Sequence, residues 1–347
     1  PEEAHQVVTG QDLAQRLLLV GLGFGQRVHH LAEELFLLLH KLGDALLNGA
    51  PGQQGGDIDR LLLADAVAKG ATRIITAGGF QSNHTRAAAF CARRLGLEIT
   101  LIVREPKTGR SPDEIPTGNF LLNQIAGADM EFVSYADYQA QGSVYAPFLE
   151  RAADASRQRG EKPYVIFEGG SQPLGCFGYI HAVDQMLAQW PEVAGSKHPD
   201  ALFCAVGSGG THAGLHLGLE LNKIPTNSLY AVNVCDSAEY FQKRVGNLIE
   251  ETARQFNLPS TQRELQILDG HFGTGYSIAT EADLKFYAKL ARQEGILLDP
   301  TYTGKAFLGM LAEIQKAPDR FGSKILFLHS GGVFGTFAYA EQYKMSL

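Results

Sequence analysis

From residue 61 onward, short apolar runs alternate with helical stretches, and several of the runs end in loops of glycine with hydroxyl or amide side chains. A strand–helix–strand order of this kind builds a mainly parallel sheet covered by helices on both faces. The fold class is therefore α/β. Spacing predicts strands at 73–76, 98–103, 129–133, 164–167, 201–206, 228–234 and 324–329. It predicts helices near 61–69, 84–95, 117–126, 144–158, 176–190, 211–221 and 303–314, and a solvated helical face over 281–293. Ligands of such sheets bind beyond the carboxyl ends of the strands. Chemistry is thus expected in the loops that follow them.

The length sharpens this. At roughly 150 residues per domain, 347 residues make two lobes. The expected division is an atypical segment 1–59, a small α/β domain 60–165 and a large α/β domain 166–347. With 30 basic and 37 acidic residues the net charge is −7, which argues against nucleic-acid or anionic-membrane partners. No run reaches the ~18 apolar residues of a membrane span. The opening Pro1-Glu2-Glu3 lacks the basic start of a secretory signal, so a cytoplasmic protein is expected. Cys91, Cys176, Cys204 and Cys235 are too far apart for a zinc cluster or a disulfide framework, and no metal is expected.

The loop after the strand at 201–206 reads Gly207-Ser208-Gly209-Gly210-Thr211 and opens a helix. Glycines let backbone approach a ligand, and free N–H groups at a helix start attract an anion. A phosphate is the natural guest, although the sequence follows neither the Walker nor the dinucleotide fingerprint. The loop after 73–76 packs Gln81, Ser82, Asn83 and His84 at a strand-to-helix junction. One of Ser82 and Asn83 is expected to cap the helix, and the cluster as a whole offers donors to a carboxylate or a ring oxygen. Further polar loops are 168–175, 273–276, 299–306 and 328–332. His212 and His329 lie in such loops and fit either a ligand contact or a structural hydrogen bond. The cysteines read as core or near-core.

Taken together, ITAGGFQSNHTRAAA (75–89), GGSQPLGCFGY (169–179), VGSGGTHAGL (206–215), EGILLDPTYTGKA (294–306) and FLHSGG (327–332) resemble the D-cysteine desulfhydrase / 1-aminocyclopropane-1-carboxylate deaminase family. These are pyridoxal-phosphate enzymes of the tryptophan-synthase-β type. The resemblance implies the two-lobed fold type II, pyridoxal 5'-phosphate in the cleft, a small amino-acid substrate and a homodimer. It implies that Ser208, Gly209, Gly210 and Thr211 cradle the phosphate, that Asn83 lies beside the ring oxygen, and that Ser330 partners the pyridine nitrogen. Gln81, Ser82 and His84 would hold the substrate carboxylate. Ser82, Tyr276 and Tyr302 would be catalytic, the phenols orienting the leaving group or passing a proton.

The implied reaction is β-elimination of D-cysteine to pyruvate, ammonia and hydrogen sulfide. The alternatives are 1-aminocyclopropane-1-carboxylate deamination and L-cysteate sulfo-lyase activity. The deaminases carry Glu after the second tyrosine, whereas Thr303 stands here. A neutral hydroxyl near the pyridine ring supports a weaker electron sink than a carboxylate, and β-elimination needs less of one.

One departure stands out. The family's cofactor-binding lysine lies in a Gly-Gly-Asn-Lys stretch just before the helix at 61–69, where this chain has Gly52-Gln53-Gln54-Gly55-Gly56. Gly-Gln-Gln-Gly is encoded GGN-CAR-CAR-GGN, and read one base later it can give Gly-Asn-Lys. Residues 1–57 also hold 13 Leu but no Ile, Ser or Tyr, and carry 4 of the 11 His. Both observations predict that residues 1 to about 56 are a frameshifted reading of the N-terminal region. The competing expectation is a genuine lysine-free homologue that binds the cofactor but turns over poorly. Taken at face value, 31–42 predicts an amphipathic helix.

Overall fold

A computed structural model describes residues 56–109, 115–259 and 265–346. The helix expected over 31–42 and most of the 52–56 stretch lie outside the described residues. Eight strands form two four-stranded sheets, and every pairing is parallel. The first contains β1 (Arg73–Gly79), β2 (Glu98–Arg104), β3 (Asp129–Val133) and β4 (Pro163–Ile166), in the order β3-β2-β1-β4. The second contains β5 (Ala201–Val206), β6 (Leu229–Asn233), β7 (Gln266–Leu268) and β8 (Ile325–Phe327), in the order β7-β6-β5-β8.

The shared order matters for function. Each sheet starts in its middle, grows toward one edge, and returns its last strand to the other side of the first. A switch point therefore falls between β1 and β4 in one sheet and between β5 and β8 in the other. Ligand crevices open at such points, outside the carboxyl ends of the strands. The loops leaving β1, β4, β5 and β8 are the ones the sequence singles out.

The strands are buried apolar runs, as parallel sheets covered on both faces require. All seven residues of β1 are buried, as are Ile99–Val103 of β2. α1 (Gly56–Ala68) and α2 (Asn83–Arg94) cover the first sheet through Leu62, Leu63, Ala88 and Ala92. α5 (Ala146–Gln158) brings Phe148 and Leu149 to its other face. α3 (Gly118–Ile125) and α4 (Tyr135–Ala140) flank the carboxyl end of the same sheet. In the second sheet, α6 (Pro173–Ala194), α7 (Gly210–Leu221) and α8 (Ala238–Phe256) share one core cluster with β5 and β6. α9 (Glu281–Glu294), α10 (Thr303–Lys316) and α11 (Ala340–Ser346) complete the chain. Phe203 is fully buried and its ring lies 5.1 Å from both Tyr230 and Phe321. Its truncation to Ala would cost about 3–5 kcal/mol.

The expected strands are all present with small shifts at their ends. β7, α4, α8 and α11 go beyond the expectations. β7 has three residues, too few for a periodic signal. α8 buries Phe241, Val245, Leu248, Ile249 and Thr252, a regular stripe. Charged residues between those positions mask the stripe in composition. No helix among the described residues is long and apolar enough to cross a membrane.

Candidate active site

The second sheet supplies an anion cradle. α7 starts at Gly210, and its N-cap Gly209 is left-handed at φ 99° with no side chain capping the helix. The helix start thus presents N–H groups and the positive end of its dipole. Ser208 Oγ lies 2.8 Å from Ser171 Oγ, which accepts the Gly210 N–H at 3.0 Å. Arg244 Nε donates to the Ser208 carbonyl at 3.3 Å. Gly169 turns at φ 66°, and a Cβ there would stand 2.9 Å from Ser208 Cβ. Thr211 sits half-buried in the first turn of α7. This backbone-lined, hydroxyl-rimmed hollow fits a phosphate such as that of pyridoxal phosphate.

The first sheet supplies a polar rim that is tied into itself. Ser82 is the N-cap of α2: it is buried, and its Oγ accepts the Thr85 N–H at 3.2 Å. Gln81 Oε1 accepts the Asn119 N–H at 2.9 Å, and Gln81 Nε2 donates to the Thr117 carbonyl at 3.2 Å. Asn83 Oδ1 accepts from Asn119 Nδ2 at 2.7 Å. His84 Nε2 lies 2.8 Å from Thr76 Oγ1.

Two tyrosines join the sheets. The Tyr276 and Tyr302 hydroxyls are 2.5 Å apart. Tyr276 abuts Gly79 at the end of β1, and Tyr302 abuts Gly207 at the end of β5. Burial raises both phenols, so both are protonated at neutral pH. Each is set by a buried charge. Asp299 accepts the N–H groups of Thr301, Tyr302 and Thr303 at 3.0, 2.9 and 2.8 Å. Lys305 Nζ donates to the carbonyls of Phe272 and Gly275, which fixes the loop before Tyr276. Asp299 also packs against Gly332, two residues beyond the half-buried Ser330. His329 steadies the same turn, its Nε2 donating to the Leu297 carbonyl at 2.9 Å and its Nδ1 accepting the Gly331 N–H at 3.2 Å.

Ionisable groups frame the cleft. Burial raises the Glu168 carboxyl, and Arg104, Arg244 and His84 draw it back down. Its charge acts through space on Tyr138, Tyr145, Tyr276 and Tyr302. Burial pushes the Cys235 thiol up to about 12, so it is no nucleophile at neutral pH. His212 is a core residue: it is 1% exposed, and burial, followed by repulsion from His216, lowers it to about 3. Thr303 corrects an expectation. Its hydroxyl is buried and donates to Asp299 Oδ1 at 2.7 Å. It serves the turn that holds Tyr302 and offers no free hydroxyl to a ring.

The structure thus brings the Ser208–Thr211 cradle, the Gln81–His84 rim and the tyrosine pair to the same strand ends, and sets Ser330 on the turn beyond β8. The sequence reading passes over Ser171, Glu168 and Asp299, which stand in loops it quotes, and Asn119, Arg104 and Arg244, whose roles depend on strand and helix neighbours. Among the described lysines only Lys305 is buried, and its ammonium is committed to two carbonyls.

Comparison with known proteins agrees with this geometry. A family model described as pyridoxal-phosphate dependent enzyme matches residues 58–331. A putative 1-aminocyclopropane-1-carboxylate deaminase of Thermotoga maritima is 36% identical over 282 residues, 81% of this chain and 84% of that protein. A D-cysteine desulfhydrase of Salmonella choleraesuis is 36% identical over 279 residues, 80% of this chain and 81% of that one. A solved structure described as an ACC deaminase homologue superposes with a TM-score of 0.71 at 30% identity, covering 89% of this chain and 91% of its own. The cradle, the paired parallel sheets and these relatives lead to one conclusion: the chain belongs to the pyridoxal-phosphate-dependent enzymes, as a lyase of the desulfhydrase and deaminase group.

Proposed function

We propose that the protein eliminates the thiol of D-cysteine, giving pyruvate, ammonia and hydrogen sulfide. The Cβ–S bond breaks, the sulfur leaves as hydrogen sulfide, and water supplies the carbonyl oxygen of pyruvate. When bound, pyridoxal phosphate supplies the electron sink that lets the α-proton leave.

The residues of this chain do the rest. Ser208, Gly209, Gly210 and Thr211, with Ser171, would hold the phosphate. Asn83 and Ser330 would flank the ring. Gln81, Ser82 and His84 line the rim where the substrate carboxylate would lie. The observation that carries the reading is the hydroxyl pair of Tyr276 and Tyr302, 2.5 Å apart and both kept protonated by burial. One phenol donates to the other, so the pair can hand a proton to a departing thiolate and be refilled. The proposed state is a homodimer, which sedimentation would register as about twice the 37.6 kDa chain mass.

Turnover also needs a lysine on the cofactor. We propose that the coding sequence, read one base later, supplies it as Gly-Asn-Lys over residues 52–55. The family match starting at 58, where the odd composition ends, supports this. Product analysis on the purified, cofactor-treated protein tests the activity. Sulfide and pyruvate from D-cysteine are expected. Sulfite from L-cysteate would give the sulfo-lyase reading, and 2-oxobutanoate from 1-aminocyclopropane-1-carboxylate the deaminase reading, which the names of the Thermotoga relative and the solved homologue favour. No product from any of them would leave a binding protein.

A further inference from the structure

The elimination reading gives the charged side chain of Arg104 no task. Arg104 closes β2, directly beside Gly79, its register partner at the end of β1. Its guanidinium carbon lies 4.8 Å from the centre of the Tyr138 ring, 5.3 Å from Tyr276 and 5.9 Å from Tyr135. A Cβ built on Gly79 would touch Arg104 Nη2 at 3.5 Å and the Tyr276 hydroxyl at 3.5 Å, so the guanidinium and the phenol flank the same short stretch of backbone. That stretch leads, two residues later, into the Gln81–His84 rim.

The other arginine of this sheet, Arg73, and the buried Arg86 of α2 each have a partner of their own. Arg73 is paired with Asp129 and Glu161, and Arg86 donates to Asn119. Arg104 forms no ion pair among the described residues. Glu168 acts on it through space, without an ion pair between the two. Aromatic faces satisfy a guanidinium only from above and below. One donor is shared with the Tyr138 hydroxyl, but a guanidinium carries five in a planar fork, which suits a tetrahedral or planar oxyanion or a thiolate. Charge left over beside a proton-passing phenol has a chemical use, because the group that departs from Cβ carries negative charge.

We propose that Arg104 reads the β-substituent of the substrate: its guanidinium, caged by Tyr135, Tyr138 and Tyr276, receives an anionic thiolate or sulfonate beside the Tyr276 hydroxyl. This rests on the elimination reading and narrows it. Amino acids whose β-substituent bears or develops negative charge are accepted, and those with a neutral or no substituent gain nothing from this residue.

The test compares Arg104→Gln and Arg104→Lys with the cofactor-treated wild-type chain, using thermal melts to verify folding. Calorimetric Kd values are measured for D-cysteate and for D-alanine, which shares the backbone but lacks the substituent. Arg104→Gln is expected to weaken D-cysteate by about 10- to 100-fold, the loss of one charge-assisted contact, and D-alanine by less than about 3-fold. Arg104→Lys, which keeps the charge, is expected to recover part of the preference. In turnover, kcat/KM should fall for D-cysteine, whose sulfur develops negative charge as it leaves. Equal losses for both ligands, or an unchanged D-cysteate Kd, would overturn the role of Arg104. If Arg104→Gln does not fold, a D-cysteate preference in Arg104→Lys no weaker than in wild type would overturn the forked recognition. A wild-type chain that prefers D-cysteate yet releases no pyruvate would instead refute the elimination reading and leave Arg104 as an anion-binding residue. A wild-type chain that binds neither amino acid would overturn both.

Discussion

The two sheets share one strand order and present their loops to the same cleft, yet they equip those loops in opposite ways. After β5, Gly207–Gly210 has few side chains and no capping residue of its own, and its Gly210 N–H is met by Ser171 Oγ from another loop. After β1, Gln81, Ser82, Asn83 and His84 are rich in side-chain donors, but all four are engaged with Thr117, Asn119, Thr85 or Thr76. A loop poor in side chains is the more open binding surface because nothing in it competes with the ligand. A loop rich in polar side chains is the more rigid one, since its groups satisfy each other before a ligand arrives. In the proposed reading the cradle would bind a fixed phosphate, and the rim would hold its shape while substrates exchange.

Substitutions on the two sides should separate these roles. Tyr302→Phe removes one of the two bridging hydroxyls, and kcat for D-cysteine elimination should fall by roughly 100-fold with little change in cofactor affinity. A fall confined to KM would show that the pair only positions the substrate. On the cradle side, Gly169→Ala puts a Cβ against Ser208 at a left-handed position. The cofactor Kd, followed by absorbance on titration, should weaken by about 10-fold or more, with about 1–2 kcal/mol of stability lost. Unchanged cofactor binding would mean the phosphate lies elsewhere. On the rim side, Ser82→Ala removes an N-cap and should cost about 1 kcal/mol in denaturant unfolding while leaving the cofactor Kd intact. A cofactor Kd that moves with Ser82 would break the division between the two sides.

Much of this was legible in the sequence because parallel α/β folds announce themselves through local pattern. Buried runs such as Ile74-Ile75 and Leu101-Ile102-Val103 read as strands, and Gly209-Gly210-Thr211 after such a run reads as an anion loop. A helix cap at Ser82 or Asn83 is legible, since capping is a contact over three residues, and the structure gives it to Ser82. Arg104 could not be read this way. Its position depends on the register that sets it beside Gly79, and its cage comes from Tyr135, Tyr138 and the distant Tyr276. Thr303 shows the opposite failure. Its place after Tyr302 suggests a hydroxyl near the ring, but Asp299 claims that hydroxyl across one turn of chain. Asp299 itself looks like an ordinary turn residue until its carboxylate is seen accepting four hydrogen bonds.

The central claim is that this cleft performs pyridoxal-phosphate chemistry through a lysine encoded at 52–55. Borohydride reduction of the cofactor-treated protein, followed by peptide mass spectrometry along the whole chain, tests it most directly, because reduction fixes the lysine–cofactor bond. The account predicts a pyridoxyl group on the lysine of a Gly-Asn-Lys peptide leading into the Asp57 helix. Peptides matching residues 1–57 of the sequence as it stands, with no pyridoxyl group on any lysine, would contradict it and leave a protein that holds the cofactor without turning it over.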